Sequence, residues 1–227
     1  MAKILNIETS TTVCSVAIGI DGELQALYEV NDGYSHAEQL ESLIEKALKE
    51  VRLSIKEIDA VSVSKGPGSY TGLRIGVSLA KGLSYGLKIP ILSIPTLDAM
   101  AYHPDVISFE GLRIPMLDAR RMEVYTCVLN QDNSVLEKTK AVVLEADSFA
   151  EIMAKDRVAI FGPGMEKSKS LYASNPTVTF IDCVLPSAQF MVSISERKFL
   201  NKEFEDTAYF EPFYLKDFVA GKPKKML

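Results

Sequence analysis

Three stretches of alternating apolar positions open the chain, at residues 3–7, 13–18 and 23–30, and read as strands; Asp21-Gly22 supplies a hairpin turn between the last two. An antiparallel meander is expected. From residue 35 to about 51 the period changes from 2 to 3.6. Leu40, Ile44, Ala47, Leu48 and Val51 form one stripe, and Ser35 with Glu38 makes a capping box at its start. A strand at 60–64, a second helix, a short strand near 90–92 and a short helix capped by Thr96 complete a β-β-β-α-β-α-β-α order. Beyond a loop at 102–111 that order returns. Strands are expected at 113–117, 124–129, 135–144, 158–161 and 178–181, with a turn at 131–134 and helices at 148–155, 165–172 and 187–200. Two halves with one element order predict duplicated α/β subdomains, residues 1–101 and 102–227, with a cleft between them.

The stretch KGPGSYTGLRIGVSLAKGLSYG, residues 65–86, breaks the amphipathic rule. Gly66 and Gly68 can take dihedrals closed to other residues, Pro67 fixes its own φ, and Ser69 or Thr71 can cap the helix that follows. That helix is apolar or small nearly all round, with charge only at Arg74 and Lys81, which predicts burial on more than one side. Each interior glycine costs ~1 kcal/mol relative to alanine, so Gly72, Gly76 and Gly82, with Ser78, predict close approach by another helix. If Leu73, Val77, Ala80 and Ser84 face the sheet, Arg74, Ile75, Ser78, Leu79 and Gly82 face a partner. The loop itself admits two readings, a phosphate cradle or a tight turn drawing helix and sheet together. No Gly-Lys-Ser/Thr follows, so the Walker spacing fails and the turn is favoured.

Composition narrows the choices. A chain of 227 residues with 47% hydrophobic content can bury a substantial core. It has no run of apolar residues long enough to span a bilayer and no signal-peptide pattern, so a cytoplasmic protein without a membrane partner is expected. Cys14, Cys127 and Cys183 are odd in number and lack CxxC spacing, which predicts buried free thiols rather than disulfides or zinc. A net charge of -5 argues against a chain that grips nucleic acid alone. The basic run GKPKK at 221–225 reads as a solvated terminus or as a contact to RNA backbone. Phe213 and Tyr214 just before it are apolar enough to dock on the domain.

Four segments, ILNIETS (4–10), GPGSYTGLRIG (66–76), DARRMEVY (118–125) and EPFYLKD (211–217), together resemble the TsaB (YeaZ) family nearly end to end. The resemblance implies an actin-like (ASKHA) α/β fold with a reduced second subdomain, a kinship that does not fix activity. It further implies a non-catalytic subunit of the machinery that makes threonylcarbamoyladenosine in tRNA. Such a subunit binds the catalytic TsaD subunit, is joined by the ATPase TsaE, meets tRNA indirectly through the complex, and pairs with itself as a homodimer when TsaD is absent. The partner contacts expected on this basis are His36, Gln39, Leu43, Arg74, Ile75, Ser78, Leu79 and Gly82. The alternative is a degenerate kinase-like or peptidase-like enzyme acting alone.

Active relatives of the fold contact phosphate with a first hairpin that follows an Asp, and with a second loop in which an Asp precedes glycines. The matching positions here are Glu8, Thr9 and Ser10, without a glycine, and Asp118, followed by Ala119-Arg120-Arg121. Gly162 and Gly164 match the adenosine loop, or form a plain strand-to-helix turn. These six residues are expected to be vestigial nucleotide-binding positions, and no cofactor is expected. The catalytic relative carries a His-x-x-x-His metal pair where this chain reads IPTLDAM at 94–100, so no metal is expected either.

Overall fold

The computed structural model describes residues 1–33 and 36–216. Ser35, Asp217 and the basic run at 221–225 lie outside the described residues. Strands β1 (Lys3–Glu8), β2 (Cys14–Ile20) and β3 (Glu23–Val30) form the expected antiparallel meander. Asp21 and Gly22 both take positive φ at the turn between β2 and β3. β4 (Ala60–Gly66) and β5 (Ile91–Pro95) add in parallel on the other side of β1, giving the order β3-β2-β1-β4-β5. β6 (Leu112–Asp118), β7 (Glu123–Leu129), β8 (Val135–Val143), β9 (Val158–Phe161) and β10 (Val178–Ile181) repeat this order as β8-β7-β6-β9-β10. The duplication is therefore one of topology as well as of element order.

The described residues form seven α-helices, six between strands and the last after β10: α1 (His36–Glu50), α2 (Tyr70–Leu87), α3 (Thr96–Met100), α4 (Pro104–Ile107), α5 (Ala150–Met153), α6 (Glu166–Tyr172) and α7 (Val192–Leu200). The second half keeps five strands and is reduced chiefly in its helices: α5 and α6 have 4 and 7 residues where α1 and α2 have 15 and 18. Thr96 begins α3, but Pro95 occupies the cap position, and the buried Thr96 hydroxyl has no hydrogen-bond partner in place of the expected cap. Cys14 and Cys127 are buried as expected, whereas Cys183 is exposed.

The first sheet is covered on both faces, and this is why β1 reads as an almost continuous apolar run. Leu5, Ile7, Val16, Ile18, Val61 and Val63 pack against Leu40, Ile44, Val77 and Ala80 of α1 and α2. The opposite face carries Ile4 and Ala17, met by Phe199, Ala188 and Val192. Those covering residues come from α7 and the 3-10 turn Ala188–Met191 before it, at the far end of the chain. The C-terminal segment follows them to the first sheet. The Glu205 amide donates to the Ile91 carbonyl at 2.9 Å, Lys81 Nζ donates to the Ala208 and Phe210 carbonyls at 3.0 Å each, and Phe210 is buried in the first core. The strands of the first sheet end at Pro95 and those of the second begin at Leu112, while Leu97, Met100 and Ala101 between them pack in the second core and part of the first sheet's cover comes from the end of the chain.

Candidate protein-binding groove

The glycine-rich loop places α2. Ser69 is the N-cap, its hydroxyl accepting from the Gly72 amide at 3.3 Å, and its own amide donates to the Ser10 carbonyl at 2.6 Å. Thr9 Oγ1 donates to the Gly72 carbonyl at 2.8 Å. A methyl group at Gly68, Gly72 or Gly76 would overlap the Ser10 carbonyl, the Thr9 carbonyl or the Thr9 hydroxyl respectively. The glycines of the motif thus let the start of α2 lie directly on the turn between β1 and β2. This corrects the expectation that Gly72 and Gly76 receive another helix, since their space is taken by Thr9. Gly82 alone of the three is open, with nothing within 4 Å of a built Cβ.

The two sides of α2 divide as the period predicts. Leu73, Val77, Ala80 and Ser84 are buried, while Arg74, Ser78 and Gly82 are exposed and Ile75 and Leu79 are half-buried. Within the chain the helix is therefore buried on one side only, not on two. Its free side and the neighbouring stripe of α1, Leu40, Ile44 and Leu48, bound an open apolar groove of ≈ 920 Å³. Tyr70 and Arg74 stand at its edge, the guanidinium donating to the Tyr70 hydroxyl at 3.0 Å, and Glu41 and Glu45 rim it on α1.

Of the expected partner contacts, Arg74, Ile75, Ser78 and Leu79 line this groove, and His36, Gln39, Leu43 and Gly82 do not. Leu43 is 2% exposed and packs in the first core, because it lies on the face of α1 turned to the sheet. His36 is likewise 2% exposed; its Nε2 donates to the Thr11 carbonyl at 2.7 Å, tying the start of α1 to the β1–β2 turn. Gln39 is half-buried near the start of α1. The α1 residues that do line the groove, Leu40, Ile44 and Leu48, were legible as an apolar stripe, but the stripe is wide enough to serve core and groove together.

The positions matching nucleotide loops are closed by the chain itself. Ligands of open α/β sheets usually sit beyond the carboxyl ends of the strands, and here that position at β1 and β4 holds the packed Thr9–Ser10 turn and loop 66–69. The Ser10 amide donates to Glu8 Oε1 at 2.6 Å, as does the Ser64 hydroxyl at 2.9 Å, and the Thr9 amide is turned to Ser64 Oγ. No amide of Thr9 or Ser10 is left for a phosphate. Burial raises the Glu8 carboxyl above its ordinary range, against the lowering pull of the Ser10, Ser64 and Thr9 hydrogen bonds, and its Oε2 has no partner. Asp118 accepts from the Arg120 amide at 2.6 Å and from Lys167 Nζ at 2.8 Å. Burial would raise this carboxyl, but those two donors outweigh it and hold it below its ordinary value. A Cβ at Gly162 would overlap Met100 and the Met116 carbonyl, and one at Gly164 would press on Leu117 and Val124. Both glycines are spent on packing against β6, so the plain strand-to-helix turn explains them, and these residues do not fit a nucleotide.

A meander running into a parallel pair, repeated in two sheets and covered by helices, defines an actin-like α/β protein. The fold is similar to that of an uncharacterized protein with similarity to peptidase YeaZ from Pseudomonas aeruginosa, at a TM-score of 0.84 and 23% identity over 95% of this chain and 100% of that one. It is also similar to the activator of 2-hydroxyisocaproyl-CoA dehydratase from Clostridium difficile with bound ADPNP, at 0.51 and 11%, covering 90% and 98%. The tRNA threonylcarbamoyladenosine biosynthesis protein TsaB of Escherichia coli is 30% identical over 226 residues, 97% of each chain. That of Bacillus subtilis is 32% identical over 217 residues, 94% of this chain and 93% of its own. A family model of TsaD, tRNA N6-adenosine threonylcarbamoyltransferase, matches residues 33–221. The chain belongs to the TsaB family of tRNA threonylcarbamoyladenosine biosynthesis proteins, and it shares the TsaD-type domain. Among the described residues, no helix is long and apolar enough to cross a membrane.

Proposed function

We propose that this protein is a cytoplasmic, non-catalytic subunit that binds a TsaD catalytic subunit through the groove between α1 and α2, in the complex that transfers the threonylcarbamoyl group to tRNA adenosine. The observation that carries the reading is the open apolar groove, whose α2 wall offers Ile75, Ser78 and Leu79, with the uncovered Gly82 about one helical turn beyond Ser78. Small side chains there allow a partner helix to approach closely, and an open apolar groove between two helices has the shape that receives the apolar face of a helix. The packing of the chain into its own loop positions at Thr9, Ser10, Gly162 and Gly164 supports a scaffold role over that of a kinase-like or peptidase-like enzyme acting alone. TsaE joins the pair, tRNA is engaged through the assembly, and the same groove pairs two copies of this chain when TsaD is absent.

Ser78→Arg tests the reading. Ser78 is exposed in the single chain, so its replacement costs within about 0.5 kcal/mol of stability. At a close helix crossing the long cation meets overlap and loses its water, costing about 2 kcal/mol or more of binding. Capture of the TsaD homologue and self-association are expected to weaken together, with the thermal midpoint of the monomer unmoved. Full capture by a folded Ser78→Arg protein would remove this groove as the interface.

A further inference from the structure

We propose that the tip of the β6–β7 hairpin is a contact for the phosphate backbone of tRNA, made by Arg120 and Arg121. The inference rests on the pathway of the family and not on the groove, so the two readings can fail separately.

Charge bookkeeping at the tip comes first. Its two carboxylates are already matched: Asp118 takes Lys167 Nζ at 2.8 Å, and Glu123 takes Lys216 Nζ. The nearby Glu166 and Asp182 share Lys169 at 2.9 Å each. Arg120 and Arg121 are both exposed, and neither forms an ion pair with a described residue. With Lys167 and Lys216 the two arginines set four cations against the carboxylates of Glu123 and of Asp118, on which Arg120 also acts, so the tip carries an excess of two positive charges on a chain of net charge -5.

The backbone supplies a second reason. Arg120 and Arg121 have φ of 70° and 48°, consecutive values in the left-handed region. Glycine and asparagine take such angles most readily, and a long side chain there costs stability. Two strained arginines in place of the residues the turn favours point to a demand for their charge. Guanidinium is the group suited to phosphate, binding it through parallel N–H donors.

The test uses the full chain, an unmodified tRNA transcript as probe, and fluorescence anisotropy between roughly 50 and 200 mM KCl. The double variant Arg120→Asn/Arg121→Gly removes both charges and gives the turn residues that suit its angles. Its thermal midpoint is expected to equal or exceed that of the parent. Its tRNA binding at the lower salt is expected to fall about tenfold or more, and the slope of log K against log salt to lose about 1.4 to 1.8, the contribution of two phosphates. Arg120→Gln/Arg121→Gln, which keeps the backbone demand and removes the charge, is expected to lose binding equally. Unchanged affinity and slope in both variants would overturn the proposal, as would a parent chain with no salt-dependent binding at all. Loss of TsaD capture by either variant would also overturn it, because the arginines would then belong to a protein interface.

Discussion

Gly72 and Gly82 occupy one helix, and exchanging each for alanine is expected to change stability in opposite directions. At Gly82 the added methyl meets nothing within 4 Å, so only the helix preference for alanine operates, and the variant gains about 1 kcal/mol. At Gly72 the methyl would overlap the Thr9 carbonyl and press His36 Cδ2 at 3.3 Å. Both neighbours are fixed, Thr9 by its hydrogen bond to the Gly72 carbonyl and His36 by its bond to Thr11. The start of α2 must back away from the β1–β2 turn. Overpacking of this kind costs about 1–3 kcal/mol, and loss of the Thr9–Gly72 or Ser69–Ser10 hydrogen bond adds about 1 kcal/mol. Set against the ~1 kcal/mol that alanine gains in the helix, the net destabilisation is about 1–3 kcal/mol, a fall of about 0.5 M or more in the urea midpoint. Far-UV circular dichroism is the suitable probe, since the chain has no tryptophan. A Gly72→Ala protein as stable as its parent would refute the claim that the motif's glycines serve contact with the first turn. A destabilised Gly82→Ala protein would show that α2 is covered along that side in the free chain.

Two further outcomes follow from the closed sites. Calorimetry with ATP and magnesium is expected to find no binding as tight as micromolar, about -8 kcal/mol, because Thr9, Ser10, Gly162 and Gly164 are consumed by packing; tight binding lost in Glu8→Ala would reverse that assignment. Burial pushes the Asp98 carboxyl from 3.8 up to about 6, against the lowering pull of Lys65, Lys198 and Arg197. A folded state that holds its proton to higher pH loses stability as pH rises through that window, and the deficit is complete above about pH 6. Asp98→Asn is therefore expected to raise stability at pH 7 by up to about 3 kcal/mol, with no gain below pH 3.8. Glu8 has a shift of the same direction in both proteins and cancels from the difference. A parent and variant whose urea midpoints differ equally at acid and neutral pH would contradict this account.

Local periodicity carried most of the architecture. The alternation at 23–30, 158–161 and 178–181 gave strands with the observed limits, and the 3.6 period of α2 separated Leu73, Val77, Ala80 and Ser84 from Arg74, Ile75, Ser78, Leu79 and Gly82 correctly. The repeated element order anticipated the repeated strand order. These features are written in short spans because a side chain's face depends on its own backbone geometry. What a face meets depends on residues far away. The Gly72 carbonyl is bonded to Thr9, 63 residues distant, and nothing in the spacing of glycines distinguishes a turn of the same chain from a partner's helix. His36 and Leu43 show the same limit, since an amphipathic stripe does not say how much of its width the core takes. Nor does the pattern of α7 say that it covers the first sheet and not the second. Those choices were made by tertiary packing, in which the β1–β2 turn, the start of α1 and the start of α2 compete for one small volume and only glycine at 68, 72 and 76 lets all three share it.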